Sequence, residues 1–238
     1  MLNAIAEDLW CAEADLKMPG KIFFRCRMTL VRLENQALLL YSPIEITAEL
    51  SQAIDALGTV RWIVAPNGFH HLYLRSAMAA WPEAEVWASP ILPAKCRNLS
   101  FTGVLDGKIA APWGDQLSYL NIKGAPKMSE IVLFHKPSKT LIVTDLVFHI
   151  HQCKNLRTRL LFKIVGAYRK VAQSRVWRLI VKDRQAASQS AAEVFGWNFQ
   201  RVVMAHGEVL EVDARMQMAH ALRWMLKRTP IPQAKLQV

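Results

Sequence analysis

Cysteine is scarce in this 238-residue sequence, and its four copies, Cys11, Cys26, Cys96 and Cys153, lie far apart. Because no two of them form a Cys-x-x-Cys pair, the spacing argues against a zinc knuckle and against a disulfide framework. No apolar run approaches the ~18 residues that a membrane-spanning helix needs. The first residues, "MLNAIAEDLW", lack the basic start and apolar middle of a secretory signal. We therefore expect a reduced protein located in the cytoplasm.

Acidic residues are nearly absent between Lys154 and Arg184, where ten basic residues accompany a single acid, Asp183. The whole chain carries a net charge of +11, so this segment holds most of the excess. Its apolar spacing predicts a basic helical segment at about 154–195. We expect the segment to bind a phosphate-rich partner, either nucleic acid or an anionic membrane surface. A solvated helix face is the alternative. The expected anion-binding residues are Arg169, Lys170, Arg175 and Arg178.

Strand patterns and helix patterns alternate along the chain, without an obvious repeat or linker. An N-terminal group of short apolar runs predicts antiparallel strands, and "TAELSQAIDALG" predicts a helix with Thr47 as its N-cap and Gly58 at its end. The run "EIVLFHKPSKTLIVTDLVF" predicts a hairpin, and Asp213 is expected to begin a terminal helix. This order predicts an α+β protein, with two mixed β-sheets packed together and flanked by helices, and one domain over residues 1–238.

Polar residues that can bind metal follow three of the predicted strands. They occur in "WIVAPNGFHH", with His70 and His71, in "TLIVTD", with Asp145, and in "RVVMAH", with His206. Strand ends on one side of a sandwich would bring these side chains together. Imidazole nitrogen and carboxylate oxygen form a normal ligand set for zinc, and they also suit iron or manganese.

This arrangement resembles the metallo-β-lactamase superfamily over roughly Asp8 to Leu226. The stretches "APN-x-x-HH" and "TLIVTDL" are most similar to an uncharacterised, divergent branch of that superfamily. The resemblance implies an αββα sandwich that holds metal ions at strand ends along one edge. The first family motif, H-x-H-x-D-H, falls on the six residues Pro66 to His71.

The departures from the family pattern remove one of its two metal sites. Pro66 and Gly68 replace the first two motif histidines, and "IKGAPKMSE" lacks the histidine that the family has there. His70 replaces the motif aspartate. The resemblance therefore implies that at most one divalent ion binds, with zinc as the first expectation. Its expected ligands are His70, His71, Asp145 and His206.

Five further titratable residues are weaker candidates. Glu130 is expected to be a solvated residue at the start of a strand, although it could reach the cleft as a ligand or base, and His135 is expected at the surface of the hairpin turn. His149 and His151 alternate with Ile150 and could face the same cleft, whereas His220 is expected to be structural. The sequence contains no G-x-S-x-G, P-loop or dinucleotide fingerprint, so the chemistries of those motifs have no support.

Two function hypotheses remain open from the sequence. The first is a single-metal hydrolase that cleaves an ester, amide or phosphoester in a small-molecule substrate of unknown identity, with Asp145 as both ligand and catalytic residue. The second is a pseudoenzyme that holds no metal and uses the sandwich as a scaffold to bind an anionic partner. The fold resemblance alone does not choose between them, because function depends on the site.

Overall fold

This computed structural model describes residues 1–227 of the protein. The first half of the chain forms a seven-stranded mixed β-sheet. Its strands lie in chain order, antiparallel from β1 to β4 and parallel from β4 to β7. The strands are β1 (Leu2–Ala6), β2 (Leu9–Met18), β3 (Ile22–Arg32), β4 (Ala37–Tyr41), β5 (Thr59–Ala65), β6 (Glu85–Ala88) and β7 (Gly103–Val104).

A four-stranded mixed sheet comes from the second half of the chain. Its strands are β8 (Leu117–Ile122), β9 (Glu130–His135), β10 (Thr140–Val143) and β13 (Arg201–Met204), in the spatial order β13-β10-β9-β8. The β9–β10 hairpin is antiparallel, as its sequence predicted, while β10 and β13 are parallel, so their carboxyl ends meet at the same edge. Two short strands, β11 (Phe148–His149) and β12 (Val171–Ala172), pair beside this edge.

Eight helices are described within residues 1–227. They are α1 (Ala48–Asp55), α2 (Leu74–Ala80), α3 (Leu92–Lys95), α4 (Leu156–Ile164), α5 (Arg175–Ile180), α6 (Arg184–Val194), α7 (Ala214–Ala221) and α8 (Arg223–Leu226). Thr47 caps α1 as predicted, because its side chain accepts a hydrogen bond from the backbone N–H of Leu50 at 3.2 Å. In this part of the chain, no helix combines the length and apolar composition needed to cross a bilayer.

Alternating residues of the strands build three apolar layers, which confirms the predicted αββα architecture. Between the sheets, Leu39 of β4 packs in one cluster with Ile142 of β10. On the outer face of the first sheet, Leu38 and Leu40 join residues of α1, α2 and α3. On the outer face of the second sheet, Leu141 joins residues of α6 and α7. This period of two residues is the pattern that a strand buried on both faces requires.

The basic segment is not the single helical region that the apolar spacing predicted. It divides into α4, α5 and α6, and the chain between α4 and α5 turns at Gly166, with φ +78°, before β12 pairs with β11. Arg169 and Lys170 lie in this turn, and Arg169 has a left-handed φ of +56°. Only Arg175 and Arg178 of the four expected anion-binding residues lie on a helix, α5. A left-handed turn cannot continue a right-handed helix, which explains the difference.

Two residues of α4 allow its orientation to be tested. Phe162 is 4% exposed and packs edge-on against Phe24, whereas Leu160 is 56% exposed. Replacing Phe162 by alanine should lower the free energy of unfolding by about 3–5 kcal/mol, because it leaves a cavity. The matched control, Leu160→Ala, should change it by less than about 0.5 kcal/mol. Urea unfolding followed by tryptophan fluorescence measures both, and equal losses would contradict the orientation.

Candidate metal centre

Three side chains that follow strand ends meet at the edge between the two sheets. His70 comes after β5, Asp145 after β10 and His206 after β13. The Nε2 atom of His70 lies 3.3 Å from Oδ2 of Asp145, and the Nε2 atom of His206 lies 3.5 Å from Oδ1 of the same carboxylate. The two Nε2 atoms are 3.2 Å apart. Together these atoms form a compact group of three possible metal ligands.

The other nitrogen of each imidazole is held by a hydrogen bond that points Nε2 inward. Nδ1 of His206 lies 2.8 Å from the carbonyl oxygen of Arg25 and must donate to it, because a carbonyl oxygen only accepts. Nδ1 of His70 lies 2.7 Å from the hydroxyl of Ser42. The ring of Phe148 stacks on the His206 ring at 5.4 Å. A neutral His206 therefore presents the lone pair of Nε2 toward Asp145, as a metal ligand requires.

Asn67 connects the turn that carries His70 with the turn that carries Asp145. Its Oδ1 accepts hydrogen bonds from the backbone N–H groups of Phe69 and His70, at 2.7 and 2.9 Å. Its Nδ2 donates to Oδ2 of Asp145 and to Oγ1 of Thr144, both at 2.9 Å. Asn67 is fully buried. This role was not among the predictions from the sequence, although the Pro-Asn-Gly stretch is a signal for a side chain that bonds its own turn.

Glu130 fixes the backbone on either side of Asp145. Its carboxyl group accepts hydrogen bonds from the backbone N–H groups of Thr144, Asp145 and Leu146, at 2.8 to 3.1 Å. Burial, helped by the nearby charge of Asp145, raises its pKa to about 8. The expectation of a solvated strand-start glutamate is wrong, because the side chain is completely buried. Its oxygens are engaged by the backbone, and Glu130 is not part of the ligand group.

Electrostatics within the group favour an ionised Asp145. Burial opposes its ionisation, but His70 and His206 outweigh burial and hold the pKa of Asp145 well below its usual range. Burial also disfavours the charged form of His206 and so lowers its pKa. The neighbouring Asp145 and Cys26 raise this pKa by more, to about 10. In the absence of an ion, the positive charge on an imidazole therefore balances the buried carboxylate.

His71 lies outside the group formed by its neighbour. Its Nδ1 atom lies 3.6 Å from the sulfur of Cys96, on the side of α3. Burial and the charge of Lys95 lower its pKa. Helix α2 begins only at Leu74, so both histidines lie in the preceding turn, where successive side chains diverge. The four expected ligands are thus reduced to three that meet.

Three further candidates from the sequence, His135, His149 and His151, lie in other surroundings. His135 is 1% exposed and bonds Ser138 at 2.7 Å, so the expectation of a surface residue is wrong. His149 and His151 form a second group of possible ligands with Glu208, with ligand atoms within 4.8 Å of one another. This second group is more accessible than the first, since Glu208 is exposed and both histidines are half-buried.

The protein backbone fills the space next to Gly68, where the superfamily motif has its second histidine. The N–H of Gly68 donates to the carbonyl of Met128 at 3.0 Å. A Cβ atom on residue 68 would lie 2.7 Å from the carbonyl oxygen of Lys127. The carbonyl of Pro66 accepts a hydrogen bond from the N–H of Ile131 at 2.8 Å. The positions of the missing ligands are therefore engaged in backbone packing.

An apolar cleft of about 470 Å³ opens at the three-residue group. His70, Asp145 and His206 lie at its wall, together with His71. Most of the remaining lining is aliphatic or aromatic and includes Leu16, Met18, Phe24, Phe148, Leu161 and Val165. A cleft of this size and composition can hold the apolar part of a small molecule beside a few polar groups.

Comparisons with known proteins identify the fold and the family. The structure is similar to a metallo-beta-lactamase from Pontibacter korlensis, with a TM-score of 0.65 and 16% identity, covering 95% of this chain and 99% of that one. A metallo-beta-lactamase from Pseudomonas aeruginosa in its mono-zinc form gives 0.63 and 12%, covering 94% of each chain. A metal-soaked flavodiiron core from Synechocystis gives 0.64 and 11%, covering 94% of this chain and 60% of that one.

Sequence comparison adds the family. No curated protein matches the sequence. Residues 6–160 match the family described as "Domain of unknown function (DUF4336)". The matched range includes the turn of His70 and the turn of Asp145, and it ends before His206. The chain therefore has the metallo-β-lactamase fold that its motifs resembled, and it belongs to the DUF4336 family.

Proposed function

We propose that the protein is a single-metal hydrolase whose ion is held by His70, Asp145 and His206. The observation that carries this proposal is the meeting of three side chains at the wall of an apolar cleft. The two Nε2 atoms are 3.2 Å apart, and each lies 3.3–3.5 Å from one of the two carboxylate oxygens of Asp145. Zinc–nitrogen and zinc–oxygen bonds of about 2.0–2.1 Å in a tetrahedron imply ligand–ligand distances of about 3.3–3.4 Å. The nitrogen–nitrogen distance and the two nitrogen–oxygen distances are close to that spacing, so the residues fit a divalent ion.

The donor set favours zinc, with iron and manganese as alternatives. Two neutral imidazoles and one carboxylate would leave a divalent ion with one positive charge, which a substrate oxygen can share. A related fold that holds a single ion supports the proposal, since the similar Pseudomonas aeruginosa enzyme is in a mono-zinc form. Because Gly68 packs against the 127–128 backbone, the proposal includes no second ion in the superfamily position.

When bound, a divalent ion supplies a Lewis acid that polarises a substrate oxygen and lowers the pKa of a water molecule toward 7. The role of Asp145 in this proposal is to hold the ion and to orient that water. Asn67 and Glu130 keep Asp145 in position through the hydrogen bonds described above. The apolar walls bind the apolar part of the substrate and exclude bulk water, so the substrate is an ester, amide or phosphoester with an apolar group.

The pseudoenzyme remains the second candidate, and one observation favours it. His70, Asp145 and His206 satisfy one another through close contacts, so the group can be stable without an ion. In that case the protein is a scaffold that binds an anionic partner and holds no metal.

For both candidates the proposed location is the cytoplasm, where the four free cysteines within residues 1–227 would stay reduced.

Metal analysis separates the two candidates. Protein purified without added metal should hold at most one equivalent of divalent ion. Asp145→Asn and His206→Ala should reduce this to near zero, because each removes one of three ligands. The matched control, His151→Ala, alters only the second histidine group and should keep the ion. Two equivalents that persist in His151→Ala would contradict the proposal, and none in the parent protein after supply of zinc, iron or manganese would favour the pseudoenzyme.

Asn67 offers a test of the supporting hydrogen bonds. Replacing Asn67 by alanine should weaken metal binding by about 10–100-fold, because Asp145 loses the donor that fixes its orientation. The exposed Asn98→Ala is the matched control and should leave the affinity unchanged. Competition with a chromophoric chelator measures both variants. An unchanged affinity in Asn67→Ala would show that Glu130 alone holds the turn.

The apolar cleft predicts a dependence on acyl length. For p-nitrophenyl esters from acetate to octanoate, kcat/KM should rise by up to about fourfold per methylene, the equivalent of ~0.8 kcal/mol. The rise follows from transfer of each methylene out of water into the cleft. Asp145→Asn should abolish the activity at every length, which assigns it to this site. A rate that does not change with length would contradict an apolar substrate.

A further inference from the structure

Exposed apolar side chains are concentrated on one side of the protein. Of the twelve large apolar side chains that are exposed in residues 1–227, eight lie on α4, on α5 or at the lining of the cleft. Those of the cleft are Met18, Phe69 and Leu72, and those of the two helices are Leu156, Leu160, Ile164, Val176 and Leu179. A concentration of exposed apolar side chains marks an interaction site more often than scattered residues do.

Helix α4 carries an apolar stripe bordered by positive charge. Leu156, Leu160 and Ile164 are four residues apart, so they lie along one face of the helix, and each is more than half exposed. At 100° per residue, Arg157 falls on one side of this stripe, while Arg159 and Lys163 fall on the other. Phe162 and Thr158 occupy the opposite, buried face. The apolar stripe is therefore directed away from the core.

Helix α5 extends the same surface. Val176 is 43% exposed and Leu179 is 83% exposed. The backbone N–H of Arg175 donates to the carbonyl of Val165 at 2.8 Å, and its guanidinium donates to the carbonyl of Ile164 at 3.1 Å. The end of α4 and the start of α5 are thus fixed side by side. We call the exposed residues of these two helices the α4–α5 face.

The positive charge of this region has little internal compensation. Within residues 1–227, Lys154 is the only one of the ten basic residues between 154 and 184 that forms an ion pair, with Asp15 at 3.1 Å. The others lie at the surface without a carboxylate within 4.0 Å, in the described part of the chain. Such a field attracts an extended anionic surface.

We infer that the α4–α5 face docks onto an anionic lipid bilayer. A bilayer offers both phases that the face requires, a layer of negative headgroups for the arginines and lysines and an acyl boundary for Leu160 and Leu179. Nucleic acid offers phosphates for the charges, but its backbone provides no apolar phase for an aliphatic stripe. The combination of the two residue types therefore favours the membrane over nucleic acid.

The docking surface and the cleft share a wall. The cleft is lined by Leu161 of α4, by Val165 directly after α4 and by Val176 of α5. Val176 and neighbouring residues of the same two helices also belong to the α4–α5 face. A docked protein would hold the cleft mouth beside the bilayer, so an amphiphilic molecule could reach it without fully entering water. Docking itself requires neither the ion nor hydrolysis, so it can be tested apart from the proposed function.

Vesicle binding tests the inference directly. The full-length protein is mixed with vesicles of phosphatidylcholine alone, or of phosphatidylcholine with one-quarter phosphatidylglycerol, and floated on a density gradient. We expect binding to the anionic vesicles at about 50 mM salt and a steep decrease by several hundred millimolar, as screening predicts. Equal binding to both vesicle types, or to neither, would overturn the inference.

Matched variants separate the apolar contribution from the charge. Leu160→Ser with Leu179→Ser should reduce binding to anionic vesicles by at least about tenfold, because two aliphatic side chains lose their transfer into the bilayer. The control pair, Val212→Ser with Met216→Ser, removes two equally exposed apolar side chains elsewhere and should bind like the parent. Equal loss in both pairs would contradict docking through the α4–α5 face.

Charge variants and a competing ligand complete the test. Arg169→Gln, Lys170→Gln and Arg178→Gln together should weaken vesicle binding, whereas Arg175 is left intact because it joins α4 to α5. Asp145→Asn should bind vesicles like the parent, so failure of the metal proposal and failure of this one are distinguishable.

Single- and double-stranded oligonucleotides are tested in parallel. Tighter oligonucleotide binding that survives Leu160→Ser and Leu179→Ser would assign the surface to nucleic acid instead.

Discussion

The buried carboxyl group of Glu130 holds the turn that carries Asp145. Three backbone N–H groups of that turn donate to the Glu130 side chain. The direction of the Asp145 side chain therefore does not depend on contact with an imidazole or an ion. Two carboxyl groups are then buried close together in different surroundings. Imidazoles and an amide stabilise the charge of Asp145, whereas burial raises the pKa of Glu130. The two environments therefore give the carboxyl groups different roles: Glu130 supports the backbone, and Asp145 lies at the wall of the cleft.

The ligand group also depends on how the two sheets are joined. His70 follows a strand of the seven-stranded sheet, while Asp145 and His206 follow strands of the four-stranded sheet. Asn67 crosses this junction by bonding both turns, and the hydroxyl of Tyr41 crosses it nearby by donating to the carbonyl of Ile131 at 2.6 Å. Because the group is divided between the sheets, its geometry is a property of their packing and not of one local motif.

The sequence predicted the parts of this structure that depend on local periodicity and strand ends. Alternation of apolar residues predicts strands, and a residue just after a strand emerges at the sheet edge, which is why His70, Asp145 and His206 could be expected together. His71 could not be placed, since its direction in a turn depends on α3 packed beside it. Glu130 could not be placed either, because its partners lie 14–16 residues further along the chain. Helical periodicity predicted α4, but apolar residues on both of its faces left its outward side undetermined.

Gly68 limits how this fold can change. A side chain at this position would require the backbone of Lys127 to move, because the first carbon would already lie 2.7 Å from its carbonyl oxygen. Replacing Gly68 with histidine would therefore not place an imidazole at this position without a change in the backbone that packs against it. The loop that carries Lys127 and Met128 would have to be rebuilt at the same time. A side chain at position 68 would thus demand coordinated changes in two distant parts of the sequence.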